Sequence, residues 1–164
     1  MNQPARARLL TLIAAFVLAG CAASAGESPA PSPLDLTTVT NALRNSGIAV
    51  VDVADSLNPR DAAWRCLPGS FRLARVSQQP AAALARPGDR PSVEILMFST
   101  DAERAAAQAA IGPDGQVRAQ GCGVMVEWVA TPHVVGARSV LLFVATDDPA
   151  TLAALNAAAS RIGS

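Results

Sequence analysis

A ten-residue apolar run, Leu9 to Leu18, interrupted only by Thr11, lies between two arginines and a cluster of small residues. Arg6 and Arg8 make a positive start; Gly20, Cys21, Ala22 and Ala23 come after the run. This is the layout of a secretory signal. A spanning helix needs roughly 20 apolar residues, about twice this run. The feature therefore predicts that residues 1–20 are removed and that the fold is built from the remainder of the chain. Gly26 to Pro33 reads Gly-Glu-Ser-Pro-Ala-Pro-Ser-Pro, and its alternating prolines fix φ and favour an extended tether. Residues 21–34 are expected to be a linker. Residues 35–164 are expected to be one domain with its own core.

Two cleavage sites compete. Leu18-Ala19-Gly20-Cys21 looks like a bacterial lipoprotein cleavage box, in which Cys21 receives a diacylglycerol and becomes the new N-terminus. Ala23-Ser24-Ala25 is an ordinary A-x-A site, and its use would discard Cys21 with the signal. The first is the stronger reading, because a chance cysteine directly after Leu-Ala-Gly at this distance is uncommon. Two or three acyl chains on Cys21 would hold the protein stably at a bilayer, where one chain binds only marginally. The expected location is the extracytoplasmic side of the cell envelope. Ala22, standing where an aspartate would favour inner-membrane retention, points to the outer membrane in a host with two membranes.

Beyond the signal the chain carries 11 arginines, no lysine and 13 acidic residues, a formal charge of −2. A near-neutral domain with 4% aromatic residues lacks the basic footprint of a nucleic-acid binder. It also lacks a polybasic patch for anionic lipid, so its contact with a bilayer would be the acyl anchor. Cys66 and Cys122 are the two cysteines left after Cys21. In an exported domain such a pair suggests a disulfide. Two separate thiols or a metal pair are the alternatives.

Periodicity and turn signals predict an α+β domain: a mainly antiparallel sheet of about five strands with helices packed on one face. Asp35 caps a helix to about Ser46, with Gly47 as its stop. Ile48–Ala54, Phe71–Val76 and Ser92–Ser99 read as strands, the last apolar on both faces and therefore central. Thr100 and Glu103 form a capping box for a second helix to about Ile111, and Gly112-Pro113-Asp114-Gly115 is a tight turn. Val124–Ala130 and Arg138–Ala145 complete the strands, with Thr131-Pro132-His133 opening the connection between them. Asp148 caps the last helix and Pro149 occupies its first turn.

Several landmarks occur in order: Leu67-Pro68-Gly69-Ser70-Phe71, Ile111-Gly112-Pro113-Asp114-Gly115, Trp128 to Pro132-His133, and Val140 to Asp147-Asp148-Pro149. The succession resembles a family of small uncharacterised bacterial envelope lipoproteins, with a lipobox, a linker and one α+β domain. The chain departs from that pattern at Val134 and Val135, where aromatics are usual, and at Ala145, where glycine is usual. The resemblance implies location and fold and carries over no catalytic residue.

His133, the single histidine, is a conceivable base or metal ligand. A thiol enzyme would need Cys66 or Cys122 reduced beside it. A zinc site would need Cys66, Cys122 and His133 together, without the paired spacings typical of such sites. The simpler expectation is a histidine that fixes a loop. Asp148 reads as a cap, Asp147 as a solvated neighbour and Asp114 as a turn residue. Glu127 is open to either solvent or a pocket, and Trp64 and Trp128 read as core or sheet surface. No catalytic residue, metal or cofactor is assigned. The expected function is a non-enzymatic, anchored module for a protein, peptide or wall component. The alternatives are an inhibitor of an envelope hydrolase and a protein that uses Cys66, Cys122 and His133.

Overall fold

The Asp35 side chain accepts a hydrogen bond from the Thr38 N–H, and the first helix, α1 (Leu36–Asn45), starts there. It ends in a Schellman motif. The Gly47 N–H donates to the Arg44 carbonyl and the Ile48 N–H to the Leu43 carbonyl, with Gly47 at φ 95°. Ile48 then tucks into the core beside Leu43. That docking delays the first strand, β1, to Asp52–Leu57, later than the expected Ile48–Ala54.

The structure, a computed structural model, describes residues 34–58, 63–78, 92–119, 121–123 and 125–164. The signal 1–20, Cys21 and the linker through Pro33 lie outside the described residues, as does most of the expected connection from Ser77 to Pro91. Among the described residues no helix is long and apolar enough to cross a membrane.

The remaining elements are β2 (Phe71–Ser77), β3 (Ser92–Phe98), α2 (Asp101–Ala110), β4 (Pro132–Ala137), β5 (Val140–Ala145) and α3 (Pro149–Gly163). The fold is α+β. Five strands form one antiparallel sheet in the order β1-β2-β3-β5-β4, which puts β3 at its centre as its two-sided apolarity predicts. The capping box of α2 is present, with Thr100 Oγ1 accepting from the Glu103 N–H and the Glu103 carboxylate accepting from the Thr100 N–H. Asp148 accepts from the Ala150 and Thr151 N–H groups and starts α3.

The fourth strand is not where the sequence places it. Residues 125–130 form no strand, and β4 is the Pro132–Ala137 stretch expected to be a connection. A two-residue turn, Arg138-Ser139, joins β4 to β5, with Arg138 at φ 47°. That tight turn forces the residues immediately before Arg138 to pair back on β5. The Val126 N–H and carbonyl, which a strand partner would take, bond the Gln116 side-chain amide at 2.9 and 2.5 Å.

Strand alternation divides the core into two clusters. Ala74, Val76, Val93, Ile95, Val140, Leu142 and Val144 point to one face, where α1 and α3 cover them. Leu73, Leu96, Phe98, Leu141 and Phe143 point to the other face. The expected single helical layer therefore holds for α1 and α3, while α2 lies on the second face through Ala107. Because β3 and β5 are apolar on both sides, both faces need a cover. Most of the second cover is irregular chain: the segments around Trp64, Val117 and Trp128.

Candidate functional site

The irregular cover is pinned at three places. Cys66 and Cys122 form a disulfide, with sulfurs 2.07 Å and Cα atoms 5.9 Å apart, the first of the alternatives expected for this pair. The Gly112–Gly115 turn closes through a Gly115 N–H to Gly112 carbonyl bond of 2.9 Å, and Ile111 bridges Val117 beyond it. Gly115 has φ 72°, and a Cβ there would stand 2.7 Å from Pro132 and from the Trp128 ring nitrogen. Only glycine permits that approach. The third pin is the pair of hydrogen bonds between the Gln116 side chain and the Val126 backbone.

Between this cover and the sheet lies a cleft of about 440 Å³. Its floor is a cross-strand row, Ala54, Arg75, Glu94 and Phe143, contributed by β1, β2, β3 and β5 in register. Ser77 and Ser92 extend the floor, and Val126 to Val129 form the wall. Trp128 of the wall and Phe143 of the floor have ring centroids 4.6 Å apart, and Trp64 meets Phe143 edge-on at 4.9 Å.

Glu94 is a carboxylate in the middle of an apolar strand, its side chain only 11% exposed. Such a group must be paired. One oxygen accepts from Arg75 Nε at 3.0 Å and Nη2 at 2.5 Å; the other accepts the Trp64 indole N–H. Arg75 keeps 41% of its side chain exposed and lies on the cleft floor. Sequence reasoning missed Glu94 and Arg75. The available signal was an acid inside the run Ser92–Phe98, one strand away from an arginine-bearing strand.

The singled-out residues separate into two groups. His133 lies on β4 with Val135, on the face opposite the disulfide, and its Nε2 is 3.1 Å from the Thr146 carbonyl oxygen. It fixes the end of β5, and it does not meet Cys66 or Cys122, whose sulfurs are bonded to each other. The Cys66, Cys122 and His133 ligand set is therefore not assembled. Among the described residues no group of three or more His, Cys, Asp or Glu could hold a metal ion.

Asp147 is more than a solvated neighbour. Its carboxylate accepts from the Thr131 N–H at 3.2 Å and the Thr131 hydroxyl at 2.5 Å, and these bonds hold its pKa below the usual aspartate value. Asp148 and Asp114 are likewise lowered, first by the Thr151 hydroxyl and the Gln116 N–H respectively, as a cap and a turn residue should be. Trp64 is buried in the second cluster and Trp128 half-buried against it. Glu127 is exposed and lines the cleft.

No protein-family model matches the chain, and neither curated proteins nor solved structures provide a match.

Proposed function

We propose that this chain is a membrane-anchored bacterial envelope lipoprotein, acylated at Cys21, whose domain is a non-enzymatic binding module with the sheet cleft as its ligand site. The observation that carries the reading is the apolar run leading into Leu18-Ala19-Gly20-Cys21. The Cys66–Cys122 disulfide supports it, since such bonds persist in oxidising compartments outside the cytosol. The side chains best suited to nucleophilic or acid–base chemistry serve structure: both cysteines in the bridge, His133 at the Thr146 carbonyl. A cleft of several hundred Å³ with a few convergent polar groups is the usual form of a ligand site. The Pro-rich stretch from Gly26 to Pro33 would act as the spacer between bilayer and domain.

The intact mass of native protein, measured without reductant, tests the anchor. The expected species starts at Cys21, carries acyl chains and lacks two hydrogens for the bridge. An unacylated chain starting at Gly26 would overturn the anchored reading. Proximity labelling with the anchored protein tests the binding module: enrichment of a defined protein or wall component over an unrelated lipoprotein is expected, and no enrichment would contradict it.

A further inference from the structure

The charges lining the cleft do not cancel. Arg75 and Glu94 neutralise each other through the bonds described above, and the second Glu94 oxygen is taken by Trp64. Glu127, in the wall, has no ion-pair or hydrogen-bond partner among the described residues. Among the described residues, the cleft lining therefore presents one uncompensated negative charge, next to Trp128. A carboxylate beside an aromatic wall is complementary to an organic cation.

The rim adds a second requirement. The large apolar side chains exposed among the described residues are Val51 at 50%, Met125 at 91% and Val129 at 78%. Val129 lines the cleft, Met125 directly precedes the lining residue Val126, and the Val51 N–H donates to the carbonyl of the lining residue Ser77. Val129 is thus a largely exposed apolar side chain at the opening itself. A rim of this kind favours a ligand with an apolar stem as well as a charge.

Resting on the binding-module reading, we propose that the cleft recognises an alkylammonium group, such as a basic peptide side chain or a free alkylamine, between Glu127 and the ring of Trp128. The stem packs on Val126 and Val129. The Ser77 and Ser92 hydroxyls, on the floor, offer acceptors to the ammonium protons.

Titration of the full-length chain in mild detergent, monitored by tryptophan emission, tests this. Both tryptophans of the protein, Trp64 and Trp128, belong to the aromatic group at the cleft. Three probes of similar size are compared: Nα-acetyl-lysine amide, Nα-acetyl-norleucine amide and Nα-acetyl-glutamate amide. The lysine probe is expected to give a saturable change that Glu127→Gln weakens by about fivefold, the worth of one partly solvated ion pair. Pentylamine separates the two sources of the group: an equal response assigns recognition to the amine alone, and a weaker one assigns it to the peptide-borne side chain. Equal binding of the norleucine probe, or tighter binding of the glutamate probe through Arg75, overturns the cation assignment and leaves the binding module standing. No response to any probe overturns the assignment and removes support from the cleft as a ligand site. An unchanged lysine response in Glu127→Gln overturns the role given to Glu127.

Discussion

The two faces of the sheet are covered in different ways. Over Val93, Ile95, Val140, Leu142 and Val144 lie two regular helices, which bury Val39, Leu43, Leu155, Ala158 and Ile162 in the same cluster. Over Leu96, Leu141 and Phe143 lie one helix and several irregular segments, fastened by a disulfide, a glycine turn and a side-chain amide. A helix satisfies its own backbone, so it can seal a face with side chains alone. An irregular segment must find partners for its backbone groups and leaves gaps where it cannot lie flat. The cleft and the partly buried Arg75–Glu94–Trp64 network occur on that second face. The helical face is sealed by regular elements, and the patched face holds the cleft proposed as the ligand site.

The largest expected effect breaks this comparison at its pin. Replacing both Cys66 and Cys122 with serine should cost about 4 kcal/mol in the chain-entropy account for a bridge spanning 56 residues. Urea denaturation of oxidised wild type and the double variant reads it; equal midpoints would show that the patched face does not depend on the bridge.

Adjacent leucines sharpen the comparison. Leu141 and Leu142 are both fully buried and point to opposite faces. Each change to alanine should cost about 2–5 kcal/mol in the oxidised protein. In the background with both cysteines changed to serine, the Leu141→Ala cost should shrink, while that of Leu142→Ala should hold. An equal Leu141→Ala cost in both backgrounds would deny that the bridge holds the patched cover, and a shrinking Leu142→Ala cost would deny that the two covers are independent.

Glu94 comes next. Glu94→Ala removes the acceptor of the buried Trp64 indole N–H and should destabilise by about 1–3 kcal/mol, with a changed tryptophan emission. Glu94→Gln keeps an acceptor and should recover part of that loss. Urea midpoints of the two variants compare them, and identical values would remove the hydrogen bond from the account.

Acid gives the smallest effect, and it falls on both faces. Asp35, Asp148 and Asp147 have folded pKa values held below the ordinary 3.8, in each case by hydrogen bonds from neighbouring residues. A depressed folded pKa means the unfolded chain binds the proton first. Their contribution is therefore complete above the unfolded value and declines as pH falls through and below it. Urea midpoints should be level from pH 7 to about 5 and fall between about 4 and 2. A midpoint that rises on acidification would contradict these roles.

The helical face was legible in the sequence because its signals are local. Asp35 and Asp148 each announce a helix start within four residues, as Thr100 with Glu103 does for the one helix of the other face. The two-sided apolarity of Ser92–Phe98 places it at the sheet centre. The cysteine pair was legible from compartment logic. The patched face was not, because its bonds join residues distant in sequence. Val126 and Trp128 alternate like a strand, yet the turn at Arg138 and Ser139 commits the sheet edge to Pro132–Ala137, and Gln116 takes the backbone that remains. The Glu94–Trp64 bond spans 30 residues, and no local pattern specifies it.

Native-state hydrogen exchange with the bridge intact and reduced tests the division of the molecule most directly. On reduction, the amides of Gly112, Arg118 and Val126, which belong to the patched cover, should lose protection, while those of α1 and α3 keep theirs. Uniform loss across both covers, or no loss at either, would contradict a sheet with one self-sufficient face and one held in place by its bridge.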